Sequence, residues 1–321
     1  MNEISKNQKM IILSESAERQ LCAKQDVTAI LTIENEEGQI KEYGDQPIDI
    51  IAVWDGHGPD LVIDIIKEQN LENLFASSDP AESLQSIIDY EINKKKEEYN
   101  TQKYKSDINY HIKYKNKITH TAINASGATF SFAKIYKNIY TNKIKIVAEW
   151  LGDSPIIIFV NGEKIFQSEN HSASNELEIK RLQKKGVIKE VKESKHGFKI
   201  INENTIEEKP SKNIIFNNYN LLFAMTRSLG HNRITDVITQ KKIIECNTND
   251  EIKIVIISDG VSDILNMEMD LEKIKNYSAE EIVEFAESRW KQEWNYKEKK
   301  IKFPYYSWDD CCCAIWCQRL S

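Results

Sequence analysis

Four apolar stretches of the chain carry aspartate at one end. Asp55 follows IDIIAVW (48–54), Asp153 follows KIKIVAEWLG (143–152) and Asp259 follows IKIVIIS (252–258). Asp309 and Asp310 precede CCCAIWC (311–317), and Asp26, just before VTAIL, is a further candidate. Taken singly, each of these aspartates reads equally as a turn residue or a helix cap. Taken together, on strands packed in adjacent sheets, they would gather several carboxylates in one place. Like charges held close repel and raise one another's pKa. A divalent cation relieves that repulsion, and hard oxygen ligands select Mg²⁺ or Mn²⁺ over Zn²⁺. No CxxC pair and no HExxH run offers a zinc site.

His57 stands two residues past Asp55 in VWDGHGP (53–59). A cationic imidazole there can donate a proton to a departing alkoxide. A histidine at a helix start can equally make structural hydrogen bonds alone. Gly56, without a side chain, allows close backbone approach and frees a carbonyl for a cation.

These residues need strands to carry them. Short β-branched and aromatic runs predict strands at 48–54, 127–136, 143–152, 155–166, 221–226, 252–259 and 311–317. Asn161-Gly162 predicts a tight hairpin turn. Helices are expected at 59–75, at 175–186 with Asn175, Glu178 and Gly186 at its ends, and from Ser278 and Glu281 to near Lys300. Strand runs flanked by helices, without βαβ alternation, indicate an α+β fold in one domain, 1–321. Within it, 79–120 reads as a lysine-rich, solvated insertion and 187–218 as an irregular, exposed flap.

Composition narrows the class. A net charge of −7 argues against a nucleic-acid partner. The start MNEISKNQKM has no apolar signal core, and no apolar run is long enough to span a membrane, so a cytoplasmic or nuclear monomer is expected. Four of the six cysteines crowd one strand, a poor disulfide framework, so they read as reduced thiols.

The order of motifs resembles that of the metal-dependent serine/threonine phosphatases of the protein phosphatase 2C type. KQD (24–26) looks like that family's N-terminal acidic motif, VWDGHGP its DGHGG motif and GATFSFAKI (127–135) its GSTA-type strand. WLGDSPIIIF (150–159) matches the GDSR motif, and ENHSASNELEIKRLQKKG (169–186) the segment leading to the flap. FAMTRSLGH (223–231) matches SRALGD, IISDGVSDIL (256–265) matches SDGLWD, and SWDDCCCAIW (307–316) the terminal acidic motif.

The resemblance implies a four-layer α-β-β-α sandwich of two antiparallel sheets flanked by helices. It implies a protein serine/threonine phosphatase acting on phosphoproteins. In it Asp55 bridges two Mn²⁺ or Mg²⁺ ions, the Gly56 carbonyl binds one, and Asp259 and Asp309 bind the other. Asp26 holds metal-bound waters, Asp153 and Asp263 serve a weaker third ion, and His57 is the general acid.

Departures matter as much. Leu21 stands where the family places a phosphate-binding arginine, leaving Arg19 and Lys24 as nearby substitutes. Gln25 replaces a frequent glutamate, Pro155 the arginine of GDSR and His231 the aspartate of SRALGD. A phosphoprotein-binding pseudophosphatase is therefore the alternative. A phosphohydrolase of nucleotides or small metabolites is the more distant one. No P-loop is present, which removes nucleoside-triphosphate motors.

Overall fold

Ile48–His57 buries both of its faces, and the alternation of its side chains shows against what. Ile51 and Val53 point into a core between two sheets, whereas Ile50, Ala52 and Trp54 point into a second core beneath helices. Ile252–Ile257 does the same on the opposite sheet: Ile254 and Ile256 face inward, Val255 and Ile257 face outward. Both strands therefore read as nearly unbroken apolar runs. The computed structural model describes residues 10–34, 46–100, 123–219 and 221–320.

Among the described residues, one sheet has the order Met10–Arg19, Cys311–Leu320, Ile252–Ile257, Ile156–Val160, Glu163–Gln167. A second, larger sheet runs Leu229–Gly230, Gly127–Ala128, Ile48–His57, Phe130–Asn138, Lys143–Leu151, Gln240–Asn247, with Asp26–Ile33 also paired to Ile48–His57. All of these pairings are antiparallel. Leu61–Lys67, Leu71–Ala76 and Pro80–Asn100 cover one outer face, and Leu271–Asn276 and Ala279–Lys291 cover the other. This is the expected α+β sandwich of four layers.

Local signals held at several points. Asn161 and Gly162 both take positive φ, 51° and 81°, as the hairpin turn requires. Gly186 ends Glu176–Lys185 in the left-handed region, and Ser278 with Glu281 forms a complete capping box.

Other expectations are corrected. The helix expected at 59–75 is two helices, because Asn70 caps the second by accepting from the Asn73 N–H. The first part of the expected insertion is the helix Pro80–Asn100. Its Ala81, Leu84, Ile88 and Ile92, three and four apart, enter the core, so this part is not solvated surface. Residues 101–120 of that insertion lie outside the described residues. Segment 187–218 is no irregular flap but a long hairpin, Ile188–Asn202 paired with Thr205–Phe216. Much of it alternates between charged residues, so no apolar period announces it. Residues 221–226 form isolated bridges, Phe223 to Ile214 and Met225 to Ser172, not a strand. The last helix stops at Lys291. Trp294 reaches the core from the strand Glu293–Tyr296 instead, its ring nitrogen donating to the Arg289 carbonyl.

Candidate metal centre

Asp26 and Asp55 stand directly opposite each other in the antiparallel pair of Asp26–Ile33 with Ile48–His57. Both are buried, and like charges so placed repel. Asp259 opens the short helix Asp259–Ser262 at the end of the other sheet, and its N–H donates to Asp55 Oδ2 at 3.2 Å. Asp309 lies just before the strand Cys311–Leu320, and Asp153 after Lys143–Leu151. Two sheets thus bring the ends of five strands to one place.

The electrostatics record the crowding. Burial, then the charge of Asp55, pushes the carboxyls of Asp26, Asp153 and Asp259 well above the usual range. Asp55 itself is raised by burial against hydrogen bonds from Asp259 that pull it down. Asp309 rises to about 7 through burial and Asp55. Asp263 rises to about 6 through desolvation of its carboxyl, with Lys209 of the hairpin pulling it down and the charge of Asp55 adding to the rise.

These residues fit hard divalent cations. Asp26 Oδ2 and Asp153 Oδ1 are buried without a hydrogen-bond partner, as donors awaiting a cation would be. A side chain on Gly56 would meet Ile63 Cγ1 at 2.7 Å and the Gln25 carbonyl at 2.9 Å, so only glycine lets the backbone come this close. Among the described residues, no group of three or more His, Cys, Asp or Glu side chains is arranged to hold a metal ion by itself. Mg²⁺ does not need such a group, since it takes one or two carboxylates and keeps several waters.

Asp310 has a different task. Its carboxylate accepts from the N–H of Cys22 and of Gln25, each at 2.8 Å, and so pins the segment before Asp26. Gln25 in turn donates its amide to the Gly58 carbonyl at 2.7 Å and to Asp60 Oδ1. The amide ties down the turn after His57, a donation that glutamate could not make.

His57 lies with its Nε2 2.6 Å from Nε2 of His231, the rings tilted at a centroid distance of 4.8 Å. Burial, then the second imidazole, lowers His57 to about 3, against a backbone hydrogen bond to Asp55. The bare protein therefore holds it neutral, not as the cationic imidazole expected from sequence. His231 had no assigned role. Its only signal was a histidine closing TRSLGH where the family motif has an acid.

Of the two expected phosphate-binding cations, Arg19 is engaged elsewhere. Its guanidinium is paired with Glu280, with Glu287 at 3.4 Å and with Glu284 at 3.7 Å, all on Ala279–Lys291. Arg19→Ala is expected to cost less than about 1 kcal/mol in a urea melt, as for other exposed pairs. It should change the KM for a phosphopeptide by less than about twofold, since no binding contact is lost. Lys24 is exposed in a left-handed conformation, φ 63°, and its carbonyl accepts from Lys67 Nζ at 3.1 Å. Leu21 packs on the apolar cluster beneath Ala279–Lys291.

The Arg227 of TRSLGH is structural. It forks onto buried Glu178 at 2.6 and 3.0 Å, with Thr226 and Arg181 also donating. Burial pushes Glu178 up, but these bonds hold it at about 2. This overrides the capping-box role expected for Glu178. All six cysteines are free, and Cys311, Cys312 and Cys313 are buried with raised thiols, as inert structural residues.

The family model described as Protein phosphatase 2C matches residues 17–292. Among curated proteins, none matches the sequence. Among solved structures, the chain is similar to a C. elegans sex determining protein, at 17% identity and TM-score 0.47, covering 98% of this chain and 66% of that one. It is also similar to an S. agalactiae serine/threonine phosphatase, at 16% identity and TM-score 0.46, covering 96% and 99%. A third is the Mycobacterium tuberculosis serine/threonine phosphatase PstP/Ppp, at 14% identity and TM-score 0.41, covering 95% and 97%. No helix among the described residues is long and apolar enough to cross a membrane. With most of its length matched by the family model, the chain belongs to the protein phosphatase 2C family.

Proposed function

We propose that the chain is a Mg²⁺- or Mn²⁺-dependent protein serine/threonine phosphatase. The observation that carries this reading is the convergence of Asp26, Asp55, Asp153, Asp259 and Asp309 from five strand ends, with His57 beside them. Asp55, the Gly56 carbonyl, Asp259 and Asp309 would hold two ions. Asp26 would orient water, and Asp153 with Asp263 would serve a weaker third ion. When bound, the ions lower the pKa of water and neutralise phosphoryl oxygens. The carboxylates also fix the approach of water in line with the leaving group. His57 donates a proton to the departing serine or threonine oxygen. A phosphate dianion beside it supplies the negative charge that favours its cationic form. The reduced thiols have no task in this chemistry.

Release of phosphate from a phosphothreonine peptide, with and without Mn²⁺, tests the reading. No turnover by folded protein in excess Mn²⁺ would overturn it. His57→Gln is expected to slow the peptide about 100-fold and 4-nitrophenyl phosphate far less, because a good leaving group needs little protonation. Equal losses on both substrates would remove His57 from the acid role.

One observation favours a second reading. Leu21 stands in the arginine's place and Arg19 is committed to glutamates. A pseudophosphatase would bind phosphopeptide without releasing phosphate, which calorimetry beside the turnover assay separates.

A further inference from the structure

We propose that His231 is the positioning residue of His57, fixing its ring and the nitrogen that keeps its proton; this rests on the reading of His57 as the leaving-group acid. His231 Nδ1 lies 2.8 Å from the Asn124 carbonyl, which can only accept. Nδ1 therefore carries the proton, and Nε2 offers a lone pair. His57 Nε2, 2.6 Å away, must donate to it. The cationic ring can make this bond and its backbone hydrogen bond to Asp55 together; in the neutral ring the two compete for one proton, and the 2.6 Å contact with a nitrogen that can only accept assigns that proton to Nε2. The cationic form has a proton on each ring nitrogen. As the phosphorus–oxygen bond breaks, its electron pair stays on the leaving oxygen, which takes the proton from His57 Nδ1. The Nε2 proton remains in the bond to His231, and His57 is left neutral.

The surroundings are built around this contact. A Cβ on Gly127 would lie 2.3 Å from His231 Nε2 and 2.7 Å from His57 Nε2, so the absence of a side chain there is what admits both rings. Phe223 packs edge-on against the other side of His231, with centroids 5.0 Å apart. His231, Asn232 and Arg233 all take positive φ, 48°, 51° and 57°, a run that L-residues avoid. Such a turn persists only where its neighbours dictate it. Here they do. The His231 N–H donates to the Ser126 carbonyl at 2.7 Å, and the Gly230 N–H to Gln85 Oε1 at 2.8 Å. Arg233 grips Glu82 and Asp89 at 2.7 and 2.6 Å. The Ser126 hydroxyl meanwhile donates to the Pro59 carbonyl at 2.6 Å and accepts from the Val62 N–H at 3.0 Å. One serine thus keys the backbones that carry both histidines.

The test uses ¹⁵N-histidine-labelled protein and long-range ¹H–¹⁵N spectra, read without substrate, followed by assays in Mn²⁺ on a phosphothreonine peptide and 4-nitrophenyl phosphate. Wild type is expected to show the Nε2–H form of His57 and the Nδ1–H form of His231. His231→Phe, which removes the acceptor, should lower the peptide-to-aryl turnover ratio about tenfold, the scale for losing a group that orients a reacting one. His231→Gln, which returns an oxygen acceptor near the same place, should recover most of that ratio. Gly127→Ala, which touches no ring nitrogen chemically, should reproduce the loss. An Nδ1–H form of His57 in wild type would overturn the pair. So would an equal loss on both substrates in His231→Phe, or no rescue by His231→Gln. If His231→Phe fails to fold, the wild-type spectra and Gly127→Ala decide. Absence of turnover in wild type sinks the phosphatase reading and the catalytic role together, while the spectra still uphold or reject the pair itself.

Discussion

Asp259→Asn is expected to lower kcat on a phosphothreonine peptide by at least about 1,000-fold in saturating Mn²⁺, or about 4 kcal/mol of transition-state stabilisation. The substitution keeps the shape of the side chain and the backbone N–H that donates to Asp55. What it removes is one negative charge from a set in which Asp55, Asp309, Asp153 and Asp263 all push on Asp259. The same change predicts the opposite effect on the bare fold. Without metal, Asp259→Asn should melt no lower than wild type, since it relieves repulsion among buried carboxylates. Its thermal stabilisation by Mn²⁺ should shrink, because a ligand stabilises only through its affinity for the folded state. Loss of activity together with a lowered metal-free melting point would indicate damage to packing instead. Retained activity would remove Asp259 from the centre altogether.

Much of this candidate site was legible because each aspartate sits at one end of an apolar strand, a local signal. That the strand ends meet required knowing which strands pair. Asp26 opposite Asp55 is a register fact, and no single segment contains it. The same limit hid His231. Its contact with His57 crosses 174 positions and depends on a left-handed turn that residue type does not announce. Arg19 misled for the converse reason. Its position near Leu21 suggested phosphate binding, but three glutamates on a helix far along the chain hold it. Hydrophobic periodicity failed where a charged, exposed stretch interrupts an element, as in the hairpin Ile188–Phe216, whose Ile200, Ile206, Ile214 and Phe216 are buried near its ends. It also failed where lysines masked a buried stripe, as in Pro80–Asn100.

The crowded carboxylates also predict how stability responds to pH. Their folded pKa values exceed the unfolded value of 3.8, so the folded state binds more protons and stability falls as pH rises through the folded values. Buried histidines act in the other direction. His57, His171 and His231 are lowered to about 3, 4 and 4, so the unfolded chain binds their protons and stability rises with pH up to their ordinary 6.5. The two effects oppose each other through pH 6.5, where an unfolded histidine is still half protonated, and the histidine rise fades over about the next unit while the carboxylate fall continues. Buried thiols add a further fall near pH 9, their ordinary value, which sets the upper limit of a clean window. Between about pH 6.5 and 7.5, metal-free protein should lose up to about 1.4 kcal/mol for each extra proton held by the fold. Urea melts in EDTA at the two pH values measure this. Mg²⁺ holds the same carboxylates ionised, so in its presence the dependence should flatten and the stabilisation by metal should be larger at pH 7.5 than at 6.5. Asp309→Asn, which removes a group titrating near 7, should flatten the metal-free dependence without any cation. A wild-type dependence that falls no more steeply across the window than that of Asp309→Asn, in which the histidine contribution is the same, would mean that these carboxylates are not crowded in the fold. A metal effect of equal size at both values would mean that the cation binds elsewhere. Repulsion in the bare protein and cation binding in the loaded one are two consequences of one arrangement, so the same pair of melts tests both.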